Sequence, residues 1–410
     1  MKKFSFLLFI ILFGCTEPYL LETSNYEEAL VIEATITNQL KKQQIKLTKT
    51  YRLEENGPQF VENATITIED DLGNIYNFVE GDEIYESENP FQAIADRKYK
   101  LTIIADGKTY TSTQEVLTTE NQIQSLEVSN KVIDGVRGAE IELKSFDPTN
   151  TSKYYRYEYE ETYKIIAPKW IPFTAKIIAV PNPANPSIML PEIVATPRTY
   201  EARVCYSTDK SKKTILFNTT NLSEDRVNLK LRFIPVSNPI IKHRYSILAK
   251  QYVQSLESYT FYSTLKKLSE NQSILSQNQP GFFSGNITCS TNPNEKVIGF
   301  FDVSSYSEKR MFFNFGDIFS VVDTPGYFYD CYDEQDNMEN KATAGRFRYC
   351  FAVGFPSDCQ ADVAQFNLDQ GLLLYYRQSS INAKSYVDLV PFPCGDCTTF
   401  SSNVVPPFWY

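Results

Sequence analysis

The sequence predicts a mainly β protein: an N-terminal immunoglobulin-like β-sandwich, then a second β-sandwich-like domain with one helical insertion and a cysteine-rich C-terminal part. Short runs with an apolar residue at every second position predict half-buried strands. The aromatic load points the same way, because 27 Tyr and 28 Phe stand beside only 16 Gly and 4 Met, and aromatic side chains suit pleated, half-buried surfaces. Helical spacing of apolar residues is convincing in one stretch, about 255–269.

Residues 1–14 stand apart from that fold. Met1-Lys2-Lys3 is followed by an apolar-leaning run from Phe4 to Phe13 and by the small Gly14, the order of a secretory signal peptide. Ten helical residues rise about 15 Å, roughly half the hydrocarbon thickness of a bilayer, so the run is too short for an ordinary span. Leu12-Phe13-Gly14-Cys15 resembles a bacterial lipobox in which the Cys15 thiol accepts lipid, although Phe13 is bulkier than the usual residue there. A single acyl chain holds only reversibly and two or three hold stably. The expectation is therefore a lipid-anchored protein with a flexible tether over 15–28. Thr16 rather than Asp follows the cysteine, so nothing obvious retains the chain in the inner membrane, and the outer membrane is the expected location.

The first sandwich is read over 29–120. Leu30, Ile32, Ala34 and Ile36 share one face while Glu33, Thr35 and Thr37 take the other, and Ile45 with Leu47 continues the pattern. Ala64, Ile66 and Ile68 repeat it before Gly73-Asn74, and Asp106-Gly107 between Ile103 and Tyr110 is a two-residue hairpin signal. A partly open barrel would give the same string.

The second β-rich domain is read over 121–410. It opens with Ile123 to Leu126, Ile141 to Leu143 and the aromatic run Tyr154 to Tyr159. Prolines at 168, 172, 181, 183, 186, 191 and 197 then predict a long loop over 168–197. That loop carries Trp170 and Phe173, aromatics that a purely solvated linker has little reason to hold, which makes them candidate contacts for a partner or ligand. Leu256, Tyr259, Tyr262, Leu265 and Leu268 give the helix one apolar side, and Ser255 is placed to cap it. The part from about 315 to 410 ends in the aromatic tail Phe408-Trp409-Tyr410, a second candidate contact element.

Composition excludes several classes. A hydrophobic share of 42% places the chain among globular proteins rather than disordered or collagen-like ones. The net charge of −10 with no basic stripe argues against nucleic acid as a partner. Beyond Cys15 there are cysteines at 205, 289, 331, 350, 359, 394 and 397, an odd number that leaves at least one thiol free. Cys205 pairing with Cys289 is the favoured bond, with Cys394 and Cys397 bonded to other cysteines, as an exported chain permits.

Chemistry-bearing motifs are scarce. His243 is the only histidine and sits between Lys242 and Arg244, which discourages both protonation and metal binding, and a catalytic triad would have to use this one poorly placed base. Asp333, Gln335, Asn337 and Glu339 form an oxygen-rich loop, but Met338 stands where a calcium loop needs a turning Gly. Cys394-Gly395-Asp396-Cys397 has zinc-knuckle or redox spacing without the second pair that would make it specific. No phosphate loop or dinucleotide fingerprint is present, and no metal, cofactor or catalytic residue is implied. Tyr155, Tyr157 and Tyr159 share a face that could stack on sugar rings, against the plainer reading of aromatic packing inside a sandwich.

The residues also carry a resemblance. Cys205-Tyr206-Ser207, Asn221-Leu222-Ser223, Phe233-Ile234-Pro235, Arg244 to Leu248, Gln251-Tyr252, Tyr259 to Tyr262, Gly285-Asn286-Ile287, Asn292 to Glu295, Gly299-Phe300-Phe301, Ser307 to Arg310, Cys394 to Cys397 and Pro407-Phe408-Trp409 follow one another in an order similar to the domain-of-unknown-function family 4249 of Bacteroidetes-type bacteria. Tyr206 departs from the Trp often found there, and Cys350 and Cys359 are additions. The resemblance carries over no catalytic residue. It implies an outer-membrane lipoprotein encoded beside TonB-dependent transporters, hence a non-catalytic accessory or binding protein for nutrient uptake whose small-molecule or glycan ligand is unnamed. The alternative is a surface adhesin or structural envelope lipoprotein.

Overall fold

The computed structural model describes residues 28–51, 57–270, 285–331, 346–348, 360–381 and 384–410. The signal, Cys15, residues 16–27, the oxygen-rich loop 333–339, Cys350 and Cys359 lie outside the described residues. The chain is mainly β, with several sheets.

Among the described residues, nine strands lie between residues 28 and 116: β1 (Leu30–Thr37), β2 (Gln44–Lys49), β3 (Gln59–Phe60), β4 (Thr65–Asp70), β5 (Ile75–Glu80), β6 (Tyr85–Ser87), β7 (Lys98–Ala105), β8 (Lys108–Ser112) and β9 (Glu115–Val116). Alternation decides what they bury. Ile32, Ala34 and Ile36 of β1, Ile45 and Leu47 of β2, and Leu101 and Ile103 of β7 enter one core. The β7–β8 hairpin turns on Asp106 and Gly107, both at positive φ (51° and 73°), as a tight hairpin demands.

The next strands build a second core. They are β10 (Ile123–Ile133), β11 (Val136–Asp147), β12 (Tyr154–Ile166), β13 (Phe173–Asn182), β14 (Asn185–Pro197), β15 (Val204–Lys210), β16 (Ile215–Asn218), β17 (Asp225–Pro235) and β18 (Arg244–Gln254). The sheet β10–β11–β17 contributes Ala139, Ile141, Leu143, Val227 and Ile234, and β12 with β18 faces it with Tyr155, Tyr157, Tyr245, Ile247 and Val253. Helix α1 (Leu256–Glu270) follows, and the Ser255 hydroxyl accepts from the Ser258 amide at 3.1 Å, the cap that the sequence predicts.

Two late strands return to the first core. β19 (Ile287–Cys289) pairs with β8, and β20 (Val297–Asn314) runs parallel to β1 over Val297–Ser304 before running antiparallel to β18 over Ser305–Asn314. One 15-stranded sheet therefore passes through both cores. Its first half curls until β19 approaches β20, and Asn286 bridges the gap as a peptide group would. Asn286 Nδ2 donates to the Phe301 carbonyl at 3.0 Å and the Phe301 amide donates to Asn286 Oδ1 at 2.7 Å. Glycines make the approach feasible: a Cβ on Gly285 would lie 1.8 Å from the Gly299 carbonyl oxygen, and one on Gly299 would lie 2.6 Å from that of Ile32.

The proline-rich segment 168–197 corrects the sequence reading, because most of it is the β13–β14 hairpin and not a loop. Those strands form a two-stranded sheet. Each keeps one edge outside the ladder, where a proline without an N–H costs no hydrogen bond. The hairpin packs Ile177 against a small third core with Phe347 of β21 (Arg346–Arg348), Ala361 and Ala364 of α2 (Ala361–Asp369), and Val387 and Leu389. Val387 and Leu389 lie on β23 (Lys384–Pro391), which pairs with β21 and with β22 (Leu373–Ile381).

The expected Cys205–Cys289 pairing is also corrected. Cys205 bonds Cys397 and Cys331 bonds Cys394, while Cys289 is a buried free thiol. Cys205 belongs to the second core and Cys289 to the first, so the two do not meet. Peptide mapping under non-reducing conditions should recover the 205–397 and 331–394 cross-links and Cys289 as a free thiol.

Gly299→Ala should destabilise the fold by about 1–3 kcal/mol or more, since the added methyl meets backbone between paired strands that cannot yield as a side chain would. Gly316→Ala, where a Cβ meets nothing within 4 Å, is the control and should melt like the wild type in a thermal unfolding scan.

Candidate functional site

Period two gives β12 a second face. Tyr155 and Tyr157 enter the second core, so Arg156, Glu158 and Glu160 point to the opposite side of the sheet. Register carries that face across the neighbouring strands: Arg156 stands opposite Tyr252 and Glu158 opposite Lys250, and Tyr252 in turn opposite Tyr306. Beyond β20 it continues through Val31, Glu33 and Thr35 of β1 to Lys46 and Gln44 of β2. Helix α1 walls one side with Phe261, Tyr262 and Leu265, and the turn after β15 walls another with Lys212 and Lys213. Between them lies a cleft of about 590 Å³.

Arg156 organises its floor. The guanidinium lies 4.0 Å from the ring centroid of Tyr252 and 4.8 Å from that of Tyr262, and Nη1 donates to Glu158 Oε1. Its Nε is buried without a partner. Burial opposes its charge, yet Tyr262 and Glu158 outweigh that and raise its pKa. Lys250 donates to Glu160 at 2.5 Å. Burial works to raise the Glu160 pKa, but the Lys250 hydrogen bond and the charges of Lys250 and Lys210 bring it below the ordinary value, which keeps the carboxylate ionised. Lys41 goes the other way, lowered by desolvation and by Lys250. Beneath α1, Asp302 accepts from Ser304 Oγ at 2.7 Å, and burial raises its pKa despite Arg156.

Seven basic and three acidic residues line the cleft, on a chain whose net charge is −10. Among the described residues, Lys46, Lys210, Lys212 and Lys213 make no ion pair. The lining contains neither histidine nor cysteine. The described residues hold no group of three or more His, Cys, Asp or Glu side chains placed for a metal.

The candidate contact residues named from sequence lie elsewhere. Trp170 packs against the second core with Arg203 over its ring at 5.8 Å, and Phe173 meets Tyr375 at 6.1 Å. In the tail, Phe408 lies under Arg310 at 3.6 Å, and Trp409 meets Tyr206 and Phe312 edge-on at 5.1 and 5.7 Å. Tyr410 is 87% exposed, with its ring centroid 6.1 Å from that of Phe312. Tyr155 and Tyr157 are fully buried, which leaves aromatic packing as their role. The right strand was singled out for sugar stacking, but its other face lines the cleft. A signal for that face was present in Lys210-Ser211-Lys212-Lys213, a local cluster of cations in an acidic chain.

His243 lies outside the cleft, and burial, then Lys242 and Lys164, lower its pKa from 6.5 to about 4. In that window the unfolded chain binds a proton that the folded chain refuses, so stability falls as the pH drops from 6.5 toward 4. His243→Gln should flatten this part of the stability-against-pH curve in denaturant titrations, and an unchanged slope would remove His243 as its source.

A family model described as Domain of unknown function (DUF4249) matches residues 16–310, a stretch that contains every residue lining the cleft. No curated protein matches the chain.

Proposed function

The chain belongs to the DUF4249 family, and we propose that it is an outer-membrane lipoprotein, held by lipid on Cys15, that serves without catalysis as a binding accessory to a TonB-dependent transporter in nutrient uptake. The cleft carries this reading. Its polar groups are arranged to hold: Glu158 is paired with Arg156 and Glu160 with Lys250. Its rings support the guanidinium of Arg156 instead of flanking a nucleophile.

Anchoring supplies the rest of the argument. A lipid on Cys15 would hold the fold, whose described part begins at residue 28, within tens of ångströms of any barrel in the same membrane. Confinement to two dimensions raises the effective concentration, and a modest interface then suffices for a lasting complex.

Cys15→Ala should abolish both acyl labelling and membrane association, measured by metabolic labelling and flotation. Gentle detergent purification of the tagged wild type should bring down an outer-membrane barrel in stoichiometric amounts. Recovery of the lipoprotein alone after cross-linking would end the accessory reading, and adhesion of cells lost on deletion would then favour a surface adhesin.

A further inference from the structure

We propose that the cleft takes an acidic oligosaccharide, a chain of hydroxyl-bearing rings with carboxylate or sulfate substituents. This rests on the binding reading above and names its ligand class.

The charge balance sets the sign of the ligand. Lys212 and Lys213 are exposed on one wall and Lys46 lies on the opposite side of the floor, without ion pairs among the described residues. A cleft with an excess of cations on an acidic protein concentrates anions where the rest of the surface repels them. Arg156 adds a fixed cation on the floor, since its side chain lines the cleft, is only 8% exposed and is held by Glu158 and by the rings of Tyr252 and Tyr262.

The floor decides between a glycan and an acidic peptide. β2, β1, β18 and β12 are each paired on both sides, so these floor strands offer no free edge for an extended peptide to join. The floor instead offers donors and acceptors side by side, Arg156 with Glu158 and Lys250 with Glu160, together with Thr35 and Gln44. Neighbouring hydroxyls on a sugar ring give and take hydrogen bonds at the same spacing, which a purely cationic patch could not satisfy. The ring faces of Tyr252 and Tyr262 are partly taken by Arg156, so recognition runs through polar atoms and charge rather than through stacking.

Calorimetry on the full mature protein in detergent tests this with four probes: hexagalacturonate, a heparin-derived hexasaccharide, maltohexaose and hexaglutamate. One or both acidic saccharides should bind, and which of them does assigns carboxylate or sulfate. Affinity should fall at least tenfold between low and high salt, and at least tenfold again in the Lys212→Glu, Lys213→Glu double variant, whose exposed positions leave folding intact by circular dichroism. Equal binding of maltohexaose, preference for hexaglutamate, indifference to the double variant, or no binding of either acidic saccharide would each overturn the proposal. A barrel that still co-purifies in that last case would leave the accessory reading standing and remove only this ligand.

Discussion

Everything in the molecule hangs on the pairing of one strand. β20 runs 18 residues, parallel to β1 in its first part and antiparallel to β18 in its second. The segment between Leu30 and Val297 supplies the strands on both sides of this junction. A parallel pair between distant segments is costly in loop entropy, and packing of Val297, Phe301 and Val303 into the first core offsets that cost. The same pairing makes the outer face of the sheet continuous from β2 to β12, so the cleft exists because the two cores share a sheet.

Gly299 is the narrow point of this arrangement. It lies against the backbone of Ile32 on one side and of Gly285 on the other, a spacing in which no β-carbon fits. Asn286, next to it in space, spends both ends of its amide on the Phe301 backbone. Gly285-Asn286 and Gly299-Phe300-Phe301, two of the motifs behind the family resemblance, therefore close the first core, and Phe300 carries helix α1 through Phe261 at 5.6 Å. These motifs of the resemblance serve to build the platform on which the cleft sits.

Much of this was legible from sequence where a local rule acts alone. Alternation located the strands of the first core, Asp106-Gly107 located a hairpin, and a Ser ahead of a one-sided apolar pattern located α1 within a residue at either end. The rest depends on contacts between distant segments. Nothing local says that residues 287–304 finish a core begun at residue 30, or that Cys205 faces Cys397 across a separation of 192. The proline rule misled at 168–197 because it describes central strands, and β13 and β14 have only each other. For the cleft, the strand Tyr154–Ile166 was conspicuous for its aromatics, and these drew the eye to the buried face. The cations that define the other face come from four strands and two turns and are scattered in the sequence except at Lys210 to Lys213.

The C-terminal part explains why only the middle of that face is open. Arg310, two residues beyond Glu308 on the same side of β20, is covered by Phe408, and Phe312 is covered by Trp409 and Tyr410. The Cys205–Cys397 bond and the isolated bridge between Tyr206 and Ser402 fix the chain that leads to this tail against β15. At the other end of β20, α1 covers Phe300 through Phe261 and meets Asp302 through Ser258. A single outer face is thus closed at one end by a helix and at the other by the tail, and the charged residues between them, Arg156, Glu158, Glu160 and Lys250, keep access to solvent through the cleft. Burial at both ends restricts the strands beneath, so the floor is held in place before any ligand arrives, and a preformed site loses less entropy on binding than one that must be assembled.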